Sequence, residues 1–491
     1  MILPYFIAIP LLSAFLIALI AGRRDSWAIL LSNVAATSLL ILSVYVLAAR
    51  HGETLIYEMG GWMPPLGIVL VQDALTGLML VLVSLISLLS LIFSVSYIRH
   101  LDRSWRYYAL FMLLITGMNG VIITGDLFNL FVFMEIALFS AFALVAYGGR
   151  AEEYEAAFKY AVMGALSSAI ILIGIAVLYS ATSTLTMAGI AEVLPEKDPK
   201  IMYWVGGLFL AGFGLKAAVI PFHAWLPDAH SSAPAPISAM LSGVLIKVPG
   251  IYVLMRVFMN VFGAPDLFMQ TFLVLGTVSI LIGVFLAVGQ WDMKRLLAYH
   301  SISQIGYILL GMGLATPLGI LGAVFHLFNH AVFKSLLFYN AGAVEVALGT
   351  RDLKRMGNLT RILPVTSLTS MVASLSISGI PPFNGFFSKL ILIIAAIQAG
   401  RPGLALAAAV GSLLTLASFM KLQKYGFRGE REVKTVKATI GWGMKTAMIV
   451  LAVCCLLSSF LVMPGIREIC LDPVVSVLLD PSRYIQMVMG R

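Results

Sequence analysis

Between residues 325 and 334 the chain reads FHLFNHAVFK, setting His326, His330 and Lys334 four residues apart with no acidic residue among them. Residues i, i+4 and i+8 of an α-helix lie on one stripe that drifts by about 40° per step. Lys334 would stand about 12 Å along the axis from His326, too far for one hydrogen bond but bridgeable through His330 and water. Imidazoles in line with a lysine can pass protons near neutral pH. His-x3-His is also zinc-ligand spacing, yet no glutamate lies between these residues and no cysteine is near. A proton wire, a buried polar cluster and a zinc pair are the three readings, and the wire is carried forward.

Further ionisable residues interrupt apolar runs in the same way. Glu135 ends DLFNLFVFME, nine residues or roughly 13 Å past Asp126. Lys216 stands in GLKAAVIPFHAWLPDAH, Lys247 in LSGVLIKVPG and Lys389 in SGIPPFNGFFSKL. In mid-bilayer such groups cost roughly 2.5–3.5 kcal/mol each on insertion scales. Glu135, Lys216, Lys247, Lys334 and Lys389 must therefore face the interior of a helix bundle, with partners or water. Four lysines against one internal carboxylate cannot all hold unpaired charge. Lysines that take up and release protons suit a relay better than a fixed ion pair. Lys159, His223 and His230 read equally well as interfacial polar groups, and Asp73 and Asp126 as helix caps or ion ligands.

The elements that would carry these residues are set by hydropathy. Of 491 residues, 60% are hydrophobic and 11% charged, and mean hydropathy is +0.99. A soluble domain carries about 25% charged residues, so the chain is an all-α polytopic membrane protein. Fourteen apolar spans are expected, at 2–21, 27–49, 70–97, 106–124, 127–147, 156–181, 201–226, 235–258, 267–289, 294–314, 317–348, 364–399, 403–425 and 440–463. The first lacks a basic leader and is long enough to span, so it is expected to be a retained helix rather than a signal peptide.

One set of alternate loops holds nineteen basic residues: Arg23, Arg24, Arg99, Arg103, Arg106, Arg150, Lys159, Lys294, Arg295, Arg351, Lys354, Arg355, Arg361, Lys421, Lys424, Arg428, Arg431, Lys434 and Lys437. The other set, with both termini, holds eight: Arg50, Lys197, Lys200, Arg256, Arg401, Arg467, Arg483 and Arg491. The basic set should face the cytoplasm, which puts both termini outside a multi-pass cell-membrane protein. The same bias accounts for the net charge of +9 without a nucleic-acid partner.

Spans seven and twelve each place Ile-Pro before Phe inside a helical run, and proline should break both helices. They are five spans apart, an odd number, so the second would cross in the opposite direction. That is the pattern of an inverted repeat with broken helices near the midplane. The repeats are drawn as spans 4–8 and 9–13. The chain then divides into a three-helix segment (1–105), a first five-helix repeat (106–258), a second (259–425), and a last helix with an outer tail (426–491). Cys454, Cys455 and Cys470 form no Cys-x-x-Cys pair, and there is no Walker or dinucleotide motif. No cofactor, metal or catalytic centre is expected.

The stretches GDLFNLFVFMEI, GLKAAVIPFHAWLPDAH, LIKVPGIYVLMR, KRLLAYHSISQIGY, NHAVFKSLLF and SGIPPFNGFFSKL together resemble the antiporter-like subunits of the complex I superfamily. The resemblance covers roughly residues 60–425 and is nearest to the D-type member of Mrp-type multisubunit sodium/proton antiporters. GIVLVQDALTG and the ending LDPSRYIQMV look like that member too. The resemblance implies a proton-translocating, non-enzymatic subunit among other membrane subunits, coupled to sodium/proton exchange. It implies a relay of Glu135 paired with Lys216, then Lys247, the His326, His330 and Lys334 face, and Lys389 as terminal residue. Lys159, His223, His230, His300, Asp73 and Asp126 would be accessory. Lipid, protons and sodium are the other expected contacts, with any sodium path lying elsewhere in the complex, because this row of lysine and histidine suits protons. HAWLPDAHSSAPAPISAML looks more like the version in energy-converting hydrogenases and complex I. A membrane-bound hydrogenase, sulfur reductase or NADH:quinone oxidoreductase-like complex is therefore the alternative parent, and a stand-alone secondary transporter a more distant one.

Overall fold

The computed structural model describes residues 2–20, 25–49, 53–98, 104–429 and 438–490. Of the basic residues counted above, Arg23, Arg24, Arg50, Arg99, Arg103, Arg431, Lys434, Lys437 and Arg491 lie outside the described residues. Helices dominate, and a helix occupies part of each expected span. Among the described residues, ten helices are long and apolar enough to cross a membrane, including Ala74–Tyr97, Leu127–Val145, Ala151–Thr182, Ala235–Val261 and Pro317–Leu348.

Local signals set their ends. Asp73 caps Ala74–Tyr97 by accepting from the Thr76 amide at 2.9 Å, and Asp126 caps Leu127–Val145 by accepting from Asn129 at 2.7 Å. Thr316 caps Pro317–Leu348, with proline at the first position and Gly349 closing the far end at φ 67°. The expected third span begins too early. Val69–Gln72 is a strand, β2, paired antiparallel with β1 (Leu55–Glu58) in the register Leu55↔Gln72 to Glu58↔Val69. The Asp73 cap is what starts the helix.

Both proline breaks are present. The helix Pro199–Lys216 stops before Ile220-Pro221, and the chain resumes as Trp225–Ser232, six residues beyond the expected end. Pro364–Ser378 stops at Gly379, φ 77°, and resumes as Asn384–Gln398 after Pro381-Pro382. In each break an X-Pro bond is cis: Ile220-Pro221 and Pro381-Pro382.

The core is built around two helices. Ala235–Val261 is buried along its whole length, and Pro317–Leu348 packs against Met293–Leu314, Asn384–Gln398, Pro364–Ser378 and Trp442–Leu457. Asp266–Val288 and Met293–Leu314 approach closely enough that a Cβ on Gly306 would lie 2.5 Å from the Gly276 carbonyl oxygen. Small residues permit such backbone contact in membrane bundles. After Trp442–Val462, three short helices (Ile466–Cys470, Asp472–Leu479 and Pro481–Met489) fold back against the bundle, and the Asn260 amide donates to the Val477 carbonyl.

Two residues counted as loop charges belong to the interior instead. Arg256 is buried in Ala235–Val261 and makes two hydrogen bonds, of 2.7 and 2.9 Å, to the Asp73 carboxylate. Lys294 is fully buried and pairs with Glu345 at 2.9 Å. A charge near a span end reads alike in sequence whether it turns to water or inward, and only packing tells them apart.

Candidate functional site

The break in the seventh span leaves Lys216 as the last residue of its first half, where a long side chain can turn into the bundle. Its Nζ donates to Ser168 Oγ at 2.9 Å and to the Gly164 carbonyl at 3.0 Å, both on Ala151–Thr182. Ser168 Oγ in turn donates to Glu135 Oε1. The expected Glu135–Lys216 pair is therefore a triad, with no direct ion pair between the two. Serine relays the contact because its hydroxyl donates and accepts at once.

Lys247 is fully buried, and its Nζ donates to the Ser242 carbonyl of its own helix. Pro249 has no N–H to give the ladder, and the backbone over Leu241–Leu245 and Lys247–Tyr252 widens to π-helical turns. Such turns leave carbonyls for side chains and recur at functional positions. Ser242 Oγ also meets Ser301 Oγ at 2.7 Å, tying this helix to Met293–Leu314. On that same neighbour the Leu297 carbonyl accepts from Lys334.

The stripe is continuous. Lys334, His330 and His326 are all fully buried on Pro317–Leu348, with the two imidazoles 6.2 Å apart, centroid to centroid. His326 Nδ1 meets Ser388 Oγ at 2.9 Å, and Ser388 is the neighbour of Lys389 in the chain. Lys389 donates to the Ile377 carbonyl at 2.7 Å and to Ser412 Oγ at 3.3 Å, and its Nζ lies 4.9 Å from the centre of the Tyr307 ring, itself 5.4 Å from His326. Ile377 is in the last turn of a half-helix, whose unpaired carbonyls and negative dipole end suit a cation. The proline break thus makes the seat that Lys389 occupies.

Several buried polar atoms have no protein partner: both ring nitrogens of His330 and Nε2 of His326 on this line, and the side-chain amide of Gln304 on the neighbouring Met293–Leu314. Buried polar groups rarely stay unpaired, so the line has both the need and the polarity for bridging water.

The accessory residues separate. Lys159 is half-exposed and pairs with Glu155 at 2.7 Å and Asp228 at 3.0 Å. Asp126 is a helix cap, and Asp73 is a cap and the partner of Arg256; neither touches the lysine row. His300 is buried with Nε2 2.8 Å from Ser418 Oγ. His223 lies half-buried in the break. His230 is wholly buried, edge-on to Trp225 and Phe338, rather than interfacial. Sequence reasoning missed Ser168, Ser388, Ser412 and Gln304, and missed the carboxylate of Glu345, which pairs with buried Lys294. Ser388 was signalled by its place beside Lys389; the others carry no mark distinguishing them from the chain's many small polar residues. Among the described residues no three His, Cys, Asp or Glu side chains are grouped to hold a metal.

Residues 124–415 match the family described as NADH:quinone oxidoreductase/Mrp antiporter, transmembrane, and residues 62–108 match the N-terminus of complex I chain 5. The D-type component of the sodium/proton antiporter of Alkalihalophilus pseudofirmus is 35% identical over 98% of this chain and 99% of its own length. The N-type component of the NADH-quinone oxidoreductase of Desulforudis audaxviator is 36% identical over 82% and 83%. Among solved structures, a chain of the Mrp complex from Dietzia superposes with a TM-score of 0.92 at 31% identity, and one of the archaeal membrane-bound sulfane sulfur reductase with 0.89 at 30%, each over 99% of both chains.

Proposed function

The chain belongs to the NADH:quinone oxidoreductase/Mrp antiporter family of transmembrane subunits, and from that premise we propose that it carries protons along a mid-membrane relay of Glu135, Lys216, Lys247, Lys334, His330, His326 and Lys389. It is an antiporter-like membrane subunit that works among other membrane subunits. The relay serves sodium/proton exchange, with sodium crossing elsewhere in the complex. One observation carries the reading: four buried lysines, each on a different helix, are held by serine hydroxyls and main-chain carbonyls rather than by direct carboxylate partners. A structural charge would be better served by a counter-ion, whereas a lysine on neutral acceptors can lose its proton and keep its contacts.

The fourteen spans, the two inverted five-helix repeats with bounds at 106–258 and 259–425, and the outward termini belong to the same reading. The matched breaks support the repeat. The meeting of Lys159, Arg295 and Arg351 around one pocket supports a common face for the basic loops.

The test is proton flux in vesicles carrying the intact complex. Glu135→Ala and Lys216→Ala should abolish coupled transport at unchanged membrane abundance. Parental rates from either would sink the relay.

The second reading, a redox-driven parent complex, is favoured by the likeness to the oxidoreductase component from Desulforudis and to the sulfane sulfur reductase chain. Co-purifying subunits decide between them. Small Mrp-type membrane subunits alone mean an antiporter, and redox subunits mean a respiratory complex.

A further inference from the structure

Lys294 and Glu345 stand outside the relay, and they connect to a charged cavity through Arg351, which lines it and lies 3.9 Å from Glu345. A pocket of about 520 Å³ is lined by Lys159, Asp228, Asp292, Arg295 and Arg351, with Ser231 in its wall. Asp228 binds Lys159 and Arg295, each at 3.0 Å, and Arg351 binds Asp292 at 3.2 Å. Residues 231–234, the end of Trp225–Ser232 and its two-residue link to Ala235–Val261, form a strap, and two cations clamp it. Arg351 donates to the Ser231 carbonyl, and Lys294 donates to the Ala233 carbonyl at 3.0 Å. Glu345 holds both cations, Lys294 at 2.9 Å and Arg351 at 3.9 Å.

At the head of the strap is His230, fully buried, with both ring nitrogens lacking a protein partner. The charges acting on it are those of Lys334 and Lys247. The exposures across the pair are unequal: the Lys294 side chain is 0% exposed and that of Glu345 17%. The carboxylate therefore keeps some access to water and the amine has none.

We propose that this pocket is a proton port and that the Lys294–Glu345 pair is its gate, with His230 as the first acceptor inside. The proposal rests on the relay reading above. Glu345 takes a proton from pocket water, and its attraction for Lys294 lapses. Lys294 then releases the Ala233 carbonyl and the strap yields. The proton passes through water to a free nitrogen of His230, and Glu345, charged again, re-forms the pair. Besides Lys294, the groups that bear on Glu345 are Arg351, Arg150 and the Tyr97 phenol, and Asp292 faces Lys294.

The test uses the intact complex in vesicles. Glu345→Gln cannot take the proton and should lower flux at least tenfold, whereas Glu345→Asp should stay within about threefold of the parent. His230→Phe fills the same space without a nitrogen and should also lower flux at least tenfold. A second readout does not depend on transport. In a background carrying Cys454→Ser, Cys455→Ser and Cys470→Ser, Ser232→Cys should react at least fivefold faster with a membrane-impermeant thiol reagent when Lys294→Gln is added. If Glu345→Gln reduces membrane abundance, that labelling comparison decides. Parental flux in Glu345→Gln and His230→Phe, or unchanged labelling in Lys294→Gln, overturns the port. Should those variants pump normally while Lys247→Ala is dead, the port falls and the relay stands. Parental flux in Lys247→Ala removes the relay itself.

Discussion

Lys247 has a carbonyl for a partner where a fixed charge would have a carboxylate, and this sets what substitutions should do. Arginine keeps a cation but does not deprotonate near neutral pH. Lys247→Arg is therefore expected to fail nearly as badly as Lys247→Ala in vesicle flux, and recovery by arginine would make Lys247 a fixed charge. Ser168 offers a finer test, because its hydroxyl bridges Glu135 and Lys216. Removing that hydroxyl leaves two charged groups short of a hydrogen bond, a loss of about 1.5 kcal/mol or roughly tenfold. Ser168→Ala should lower flux by that factor, and Ser168→Thr, which keeps the hydroxyl, should retain most activity. Equal rates for the two would take Ser168 out of the path.

At the scale of elements, the helix Pro317–Leu348 and the broken twelfth span act together through His326, Ser388 and Lys389. If they form one serial path, breaking it twice is little worse than breaking it once. His330→Ala with Lys389→Ala should approach the rate of Lys389→Ala alone, given measurable activity in each single variant. Lys389→Ala should be the more severe, since water can replace an imidazole in a chain but not the cation seated on the half-helix end. Multiplicative losses, with abundance checked by immunoblot, would mean that the groups do not share a route. Both breaks were legible in sequence because proline acts on its own turn. The π-turns around Lys247 were not, since a widened ladder also depends on the neighbours that take up the freed carbonyls.

For the whole molecule, the basic residues brought to one pocket and the tail folded against the Asn260 end of Ala235–Val261 define two faces. On the proposed fourteen spans, an even number, both termini share a side. Epitope tags at residues 1 and 491 should be reached in intact cells by an impermeant probe, and a tag near Arg351–Arg361 only after permeabilisation. The reverse pattern would invert the assignment. Family membership extends the placement to a multisubunit assembly, and Glu135 is only partly buried within this chain.

The sequence by itself determined the membrane class, the approximate helices, the two breaks and the row of internal lysines and histidines. Each of these is a local property: a run of apolar residues, a proline, or a charge that lipid would not accept. Only the tertiary structure decided the partners, which come from far along the chain. Ser168 meets Glu135 across 33 residues, Ser388 meets His326 across 62, and Arg256 meets Asp73 across 183. Lys294 and Arg256 read as loop charges for the same reason. Spacing along one helix gives the face on which a side chain lies but not the helix that covers that face. In a bundle buried on all sides, the covering helix decides whether a charge meets water, a counter-ion or a carbonyl.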